Sequence, residues 1–378
     1  MPLAVQRLRS PDGGPVSYTV VGPNGLAVEP IEDFLAHLWA TGLSPNTVQA
    51  YAHDLKDLFT WLDQVGLDFR RLGLEQLAQF FDWLRRPRAS RAPGVFMLPG
   101  MTPAVENSTL QRKRGAIASF YRFHARRDES VPALLGELIG VRPTGRYIPL
   151  LAHTQRGRPG AESYSPIRIH VNRKPPKTLT PQEIDQILAA CRRRRDRFLF
   201  ALLDESGLRI GEALGLRHSD LHLRRGQVHV VPREDNANGA RTKGMKGRIV
   251  PVRGELFELY ADYMEIEYGS LDSDYIFINL FHPPIGAPMT RQNVNDLVER
   301  LRRRTEIMHF HPHALRHTYA TRLLRAEVPI EVVAELLGHA SSQTTAEIYG
   351  HLKVEDHRRA LVVAGVLEDE IADGVITE

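Results

Sequence analysis

The chain has 378 residues, with 49 Lys and Arg against 45 Asp and Glu and a net charge of +4 when histidine is neutral. At roughly 150 residues per domain, this length fits two to three domains, and 42% hydrophobic with 25% charged residues excludes the fibrous and disordered classes. The single cysteine, Cys191, excludes an internal disulfide, a zinc ribbon and a dithiol centre, and no apolar run approaches the roughly 18 residues of a membrane span.

The first 28 residues are rich in Pro and Gly, and only Val16 to Val21 reads as a strand. Helical spacing begins at Ile31, with Phe34, Leu35, Leu38 and Trp39 on the same stripe and Gly42 as a stop. Ser44 before Pro45 is an N-cap followed by proline at the first helical position, and it opens a helix that carries Val48, Tyr51, Leu55, Leu58, Phe59 and Leu62 on one face. Leu74 to Leu84 and Thr109 to Arg126 are two further amphipathic stretches, separated by a Pro/Gly-rich loop at Ala89 to Thr102. Four such helices make a small all-α domain.

From Gly140 to Lys177 prolines recur and no period survives, as expected of a linker. Between Val141 and Thr178 it holds eight basic residues and one acid, Glu162, a pattern that suits an extended segment tracking a phosphate backbone or a solvated tether. Thr180-Pro181-Gln182-Glu183 is a capping box that opens a second domain, helical to Leu216. Gln227 to Pro232 and Arg248 to Val252 alternate as the strands of a hairpin, Tyr275 to Asn279 reads as a third strand, and helices run from about Arg291 to Ala364. The fold class expected is mainly α with a small antiparallel β-sheet. The divisions are an N-terminal extension at 1–28, a helical domain at 29–135, a basic linker at 136–178, the second domain at 179–365 and an acidic tail at 366–378.

Four short clusters in the second domain carry groups that grip anions. In Gly207-Leu208-Arg209-Ile210-Gly211-Glu212 an arginine follows a glycine turn, with Glu212 placed to orient it. The hairpin Arg241-Thr242-Lys243-Gly244-Met245-Lys246-Gly247-Arg248 offers Lys243 as a mobile proton donor. In His311-Pro312-His313-Ala314-Leu315-Arg316-His317, His313 and Arg316 are three apart and share a helical face. His313 and His317 also have the i, i+4 spacing of a metal pair, but that pattern needs Glu after the first histidine and Ala314 stands there, so no metal is expected. Last come Leu336-Leu337-Gly338-His339 and, ten residues beyond His339, Tyr349.

Taken in this order, the clusters resemble the tyrosine recombinase (phage integrase) family, and the region before the linker resembles that family's helical core-binding (SAM-like) domain. The resemblance is to transposon-borne integrases and transposases in particular, since 34 residues separate Arg209 from Lys243 and suggest a long hairpin. It implies that Arg209 and Arg316 hold a scissile phosphate and that Lys243 is the general acid for the 5′ hydroxyl. His313 would be general base or phosphate ligand, His339 a further phosphate donor, Glu212 a support and Tyr349 the nucleophile. Tyr349 is the only tyrosine after Tyr319.

The activity implied is site-specific cutting and rejoining of double-stranded DNA through a 3′-phosphotyrosyl link, with no cofactor, metal or ATP. A homotetramer on paired sites is implied, with no membrane partner and a cytoplasmic location, nucleoid-associated when DNA is bound. A phenol of pKa near 10 costs roughly 4 kcal/mol to ionise at pH 7, which explains why cationic groups must surround the reacting phosphate. Two rival readings use the same residues: a type IB topoisomerase-like enzyme, and a catalytically silent DNA-binding regulator.

Overall fold

The computed structural model describes residues 2–8, 16–87, 90–91, 102–131, 140–143, 161–164, 167, 169, 177–233, 235–240 and 247–339. The chain divides into two compact units, 1–173 and 174–378.

The first unit is built on α1 (Glu29–Ala40), α2 (Pro45–Val65), α3 (Leu74–Arg85) and α4 (Asn107–His124). Ser44 caps α2 by accepting from the Thr47 amide at 3.2 Å, as its place before Pro45 predicts. Phe34, Phe80, Phe120 and Tyr121 are fully buried where the helices meet. Residues 1–28 supply a hairpin to this core rather than a lone strand: β1 (Ala4–Leu8) pairs antiparallel with β2 (Ser17–Val21). β1 escaped the sequence reading because its side chains are almost all exposed, so no apolar alternation marks it. The segment expected to be a structureless linker also contains an antiparallel pair, β3 (Gly140–Pro143) with β4 (Ala161–Tyr164). Beyond β4, Ile167 and Ile169 pack against the first unit's core.

Between α2 and α4 lies an ion cluster. Asp54, wholly buried, accepts from Lys113 Nζ at 2.9 Å and from Arg112, and Lys113 also reaches Asp57 at 2.8 Å.

The second unit contains α5 (Pro181–Ala190), α6 (Arg194–Ser206) and the short α7 (Ile210–Leu214), followed by a three-stranded antiparallel sheet of β5 (Leu221–His222), β6 (Gln227–Val230) and β7 (Arg248–Pro251). Register sets Leu221 opposite Val228 and Val228 opposite Val250, so one buried line crosses the sheet. α8 (Gly254–Tyr263), α9 (Arg291–Thr305), α10 (Pro312–Arg325) and α11 (Ile330–Leu337) follow. Thr180 and Glu183 form the expected capping box on α5.

One strand expectation fails. Tyr275 to Asn279 is not the third strand of the sheet; that place belongs to β5. Tyr275, Ile276, Phe277 and Ile278 are all buried, and their extended backbone pairs with loops instead: the Ile276 amide donates to Leu216 O and Phe277 O accepts from the Met289 amide. A run buried on both faces looks like a central strand in sequence, and nothing local says whether a strand lies beside it. The helices expected beyond Leu337 fall outside the described residues.

Breaking a buried ion cluster from one side strands the remaining charge, so Asp54→Ala should destabilise the full chain by about 3 kcal/mol. Urea unfolding followed by circular dichroism checks this, and the exposed Asp63→Ala serves as a control expected to change little.

Candidate active site

Helix α6 ends at Gly207, whose φ of 59° is left-handed; a Cβ there would lie 2.4 Å from Tyr319 Cδ1 and 3.1 Å from a Leu337 methyl. Only glycine fits, and this close approach brings the Gly207 carbonyl against α10. Arg209 follows directly and stands at the N-cap of α7. Glu212, one turn in, accepts from the Arg209 amide at 2.9 Å and from Arg209 Nη1 at 2.9 Å, so the orienting role read from the spacing is realised in both backbone and side chain.

Helix α10 opens at Pro312, with His311 Nδ1 accepting from the Ala314 amide at 3.0 Å. Its first turns carry His313, exposed to solvent, and Arg316, only 4% exposed. Arg316 donates through Nη1 to Gly207 O and through Nη2 to Leu337 O, both at 2.7 Å. Tyr319 and Ala320, further along, pack on Val333 and Leu337 and lock α10 against α11.

Helix α11 stops at Gly338, left-handed at φ 64°, and His339 comes next. A helix end leaves carbonyls without intrahelical partners and carries partial negative charge. Here three guanidinium groups meet it. Arg316 takes Leu337 O, Arg209 Nη1 reaches Leu337 O at 3.3 Å and Gly338 O at 3.4 Å, and Arg248 Nε, from β7, donates to Leu336 O at 2.7 Å. Arg248 then turns its other two nitrogens on Glu212, at 2.6 and 3.2 Å.

The electrostatics follow from burial and from that crowding of positive charge. His339 is pushed down to about 4, by desolvation first and then by Arg316, Arg209 and Arg248. His317 is also pushed down to about 4, by desolvation and then His313, His311 and Arg316. His313 is lowered by desolvation, then by Arg316, His311, Arg291 and Arg209. Burial works to raise Glu212, yet the hydrogen bonds and charges of Arg248 and Arg209 outweigh it and hold the carboxyl below its ordinary value. The result is a permanently cationic cradle with neutral imidazoles at its rim, chemically fit for an anion that is doubly or triply hydrogen-bonded.

Of the residues expected from sequence, Arg209, Glu212, Arg316 and His339 are brought together at the end of α11, and His313 stands within reach of the same charges. Lys243 and Tyr349 lie outside the described residues. Arg248 was missed as a member of the site. Its signal was present: in β7, Val250 points inward, so Arg248 two residues earlier points inward too, and a buried arginine requires a carboxylate or carbonyls.

Residues 177–356 match the family model described as the phage integrase family, and residues 31–128 match its N-terminal SAM-like domain. Transposase A from transposon Tn554 of Staphylococcus aureus is 36% identical over 360 residues, covering 94% of this chain and 96% of the relative. Tyrosine recombinase XerD of Pseudomonas aeruginosa is 29% identical, covering 85% and 92%. Among solved structures, the Tn1549 transposon integrase in complex with transposon right end DNA aligns with a TM-score of 0.60 at 16% identity, over 89% of this chain and 99% of the other. XerH recombinase in its post-cleavage complex aligns at 0.54 and 21%, over 85% and 80%. At these identities the structural likeness concerns the fold.

His317 and His339 bind a proton near pH 4 in the folded chain but near 6.5 when unfolded. Between those values the unfolded state holds more protons, so stability is full above about 6.5 and falls as pH drops towards 4. Urea midpoints measured from pH 7.5 to 4.5 should decline less steeply in His317→Gln than in the wild type.

Proposed function

The chain belongs to the phage integrase family of tyrosine recombinases, and on that premise we propose that it cuts and rejoins double-stranded DNA at specific sites, with Tyr349 as nucleophile. The Tyr349 oxygen attacks the scissile phosphorus, the bond from phosphorus to the 5′ oxygen breaks, and Lys243 gives that oxygen its proton. A 3′-phosphotyrosyl ester and a free 5′ hydroxyl remain. The ester keeps the energy of the broken bond, so attack by the 5′ hydroxyl of a second duplex rejoins the strands without ATP.

The observation that carries this reading is that Arg209 and Arg316, 107 residues apart in sequence, donate to one carbonyl, that of Leu337. Two guanidinium groups fixed on a common point are preorganised for the non-bridging oxygens of one phosphate, where negative charge grows in the pentacoordinate state. His339 follows that carbonyl by two residues and His313 is set one turn before Arg316, which supports their assignment as phosphate ligands and, for His313, as the proton acceptor for Tyr349. The likeness to a transposon transposase over nearly the full length of both chains supports a role on a mobile element. The assembly proposed is a homotetramer on two paired sites, since strand exchange needs two duplexes held together.

A duplex with a 5′-bridging phosphorothiolate at the cleaved position releases a thiol that religates poorly, so the covalent intermediate accumulates. Wild-type protein should give a gel-stable adduct on this DNA and Tyr349→Phe none. Tight DNA binding without an adduct in the wild type would make the chain a silent binder, and relaxation of supercoils without exchange of strands would make it topoisomerase-like. Arg316→Lys, which keeps the charge but loses the fork, should slow adduct formation by about 10²-fold.

A further inference from the structure

Resting on the cleavage site just assigned, we propose that Arg248 is a positioning residue for the reaction: it occupies Glu212 so that the charge of Arg209 stays available to the phosphate, and it pins the turn that leads to His339.

The geometry is specific. The Arg248 side chain is 6% exposed and Glu212 is fully buried, so Arg248 has no route to DNA and acts through its neighbours. Its guanidinium works in two directions at once: Nε donates to Leu336 O at 2.7 Å, while Nη1 and Nη2 take Glu212 Oε1 at 3.2 Å and Oε2 at 2.6 Å. Glu212 Oε1 is therefore shared, since it also accepts from Arg209 Nη1 at 2.9 Å. Two guanidinium groups around one carboxylate leave a net charge of +1 facing the site. Without Arg248 the buried carboxylate has only Arg209 to neutralise it, the pair sums to zero, and Arg209 is drawn away from the phosphate towards Glu212.

The second contact acts on the histidine. Gly338 sits beneath the Arg248 plane, where a Cβ would come 2.8 Å from Nη1 and 3.1 Å from Cζ. Arg248 thus packs over the left-handed residue immediately before His339 and fixes the Leu336 carbonyl, next to the Leu337 carbonyl that holds Arg209 and Arg316. A lysine could reach Leu336 O or Glu212 but has no planar fork to satisfy both.

The test compares wild type, R248M and R248K in single-turnover adduct formation on a duplex bearing the mapped cleavage site, with either an ordinary phosphate or an uncharged methylphosphonate at the scissile position. Melting temperature and equilibrium DNA affinity are measured alongside. If Arg248 keeps the charge of Arg209 available, R248M slows the phosphate reaction by about 10²-fold, with affinity within about threefold, since Arg248 does not reach solvent. On methylphosphonate, which lacks the charge Arg209 must meet, the defect shrinks to below about tenfold. R248K falls between. In a double-mutant cycle with E212Q the two defects are strongly non-additive.

Equal slowing on both substrates would reduce Arg248 to a structural residue and overturn the proposal, as would a wild-type rate in R248M. Should R248M fail to fold, R248K decides: slowing by about tenfold with affinity kept supports the role, and an unchanged rate overturns it. Absence of any adduct in the wild type is a different failure, that of the cleavage site itself, on which the role of Arg248 depends.

Discussion

The C-terminal end of α11 is the constraint on which the site depends. Three carbonyls, those of Leu336, Leu337 and Gly338, lie at the negative end of the peptide dipoles of α11. Arg209, Arg248 and Arg316 satisfy them from three parts of the chain: the turn after α6, strand β7 and helix α10. A backbone feature thereby gathers cations that repel one another. Arg209 and Arg316 are thereby fixed on one acceptor, the Leu337 carbonyl.

Small residues make this possible at two points. Gly207 lets α6 come close enough to α10 for its carbonyl to take Arg316, and Gly338 ends α11 in the left-handed region beneath Arg248. A side chain at 207 would collide with Tyr319 and Leu337, and one at 338 with Arg248. The buried Glu212 then balances the cluster: among the described residues it is the one carboxylate that accepts from both Arg209 and Arg248, and its burial is tolerated because both stay on it. The low proton affinities of His317 and His339 come first from burial and then from neighbouring positive groups, so in the proposed reaction a phosphate meets fixed charge and neutral donors rather than a site that must reorganise.

The supporting cores follow simpler rules. The first unit's helices bury an aromatic cluster around Phe34 and Phe120, and the line Leu221, Val228, Val250 ties the small sheet of the second unit to its helices. β7 joins core and site: Val250 serves the first and Arg248 the second, two residues apart on one face.

Periodicity and caps sufficed for most of the described helices, because both are local, although α8 (Gly254–Tyr263) was not read from the sequence. Ser44 before Pro45, the box at Thr180 and Glu183, and the glycines at 207 and 338 act within one turn of where they stand. For the same reason the pairing of Arg209 with Glu212, three residues apart, was readable directly, and the ordered clusters identified the family. What the sequence did not reveal was everything decided by non-local pairing. β1 shows no alternation because its partner and the helices behind it, rather than its own pattern, make it a strand. Tyr275 to Ile278 is buried on all sides yet pairs with loops, because β5 already occupies the sheet edge. Arg248 joins the site only because a strand 36 residues beyond Glu212 passes over a helix end 88 residues further on. Local sequence fixes which residues turn, cap and face inward; which distant backbone atom a buried charge will find is a property of the folded chain, since it depends on packing that no single segment specifies.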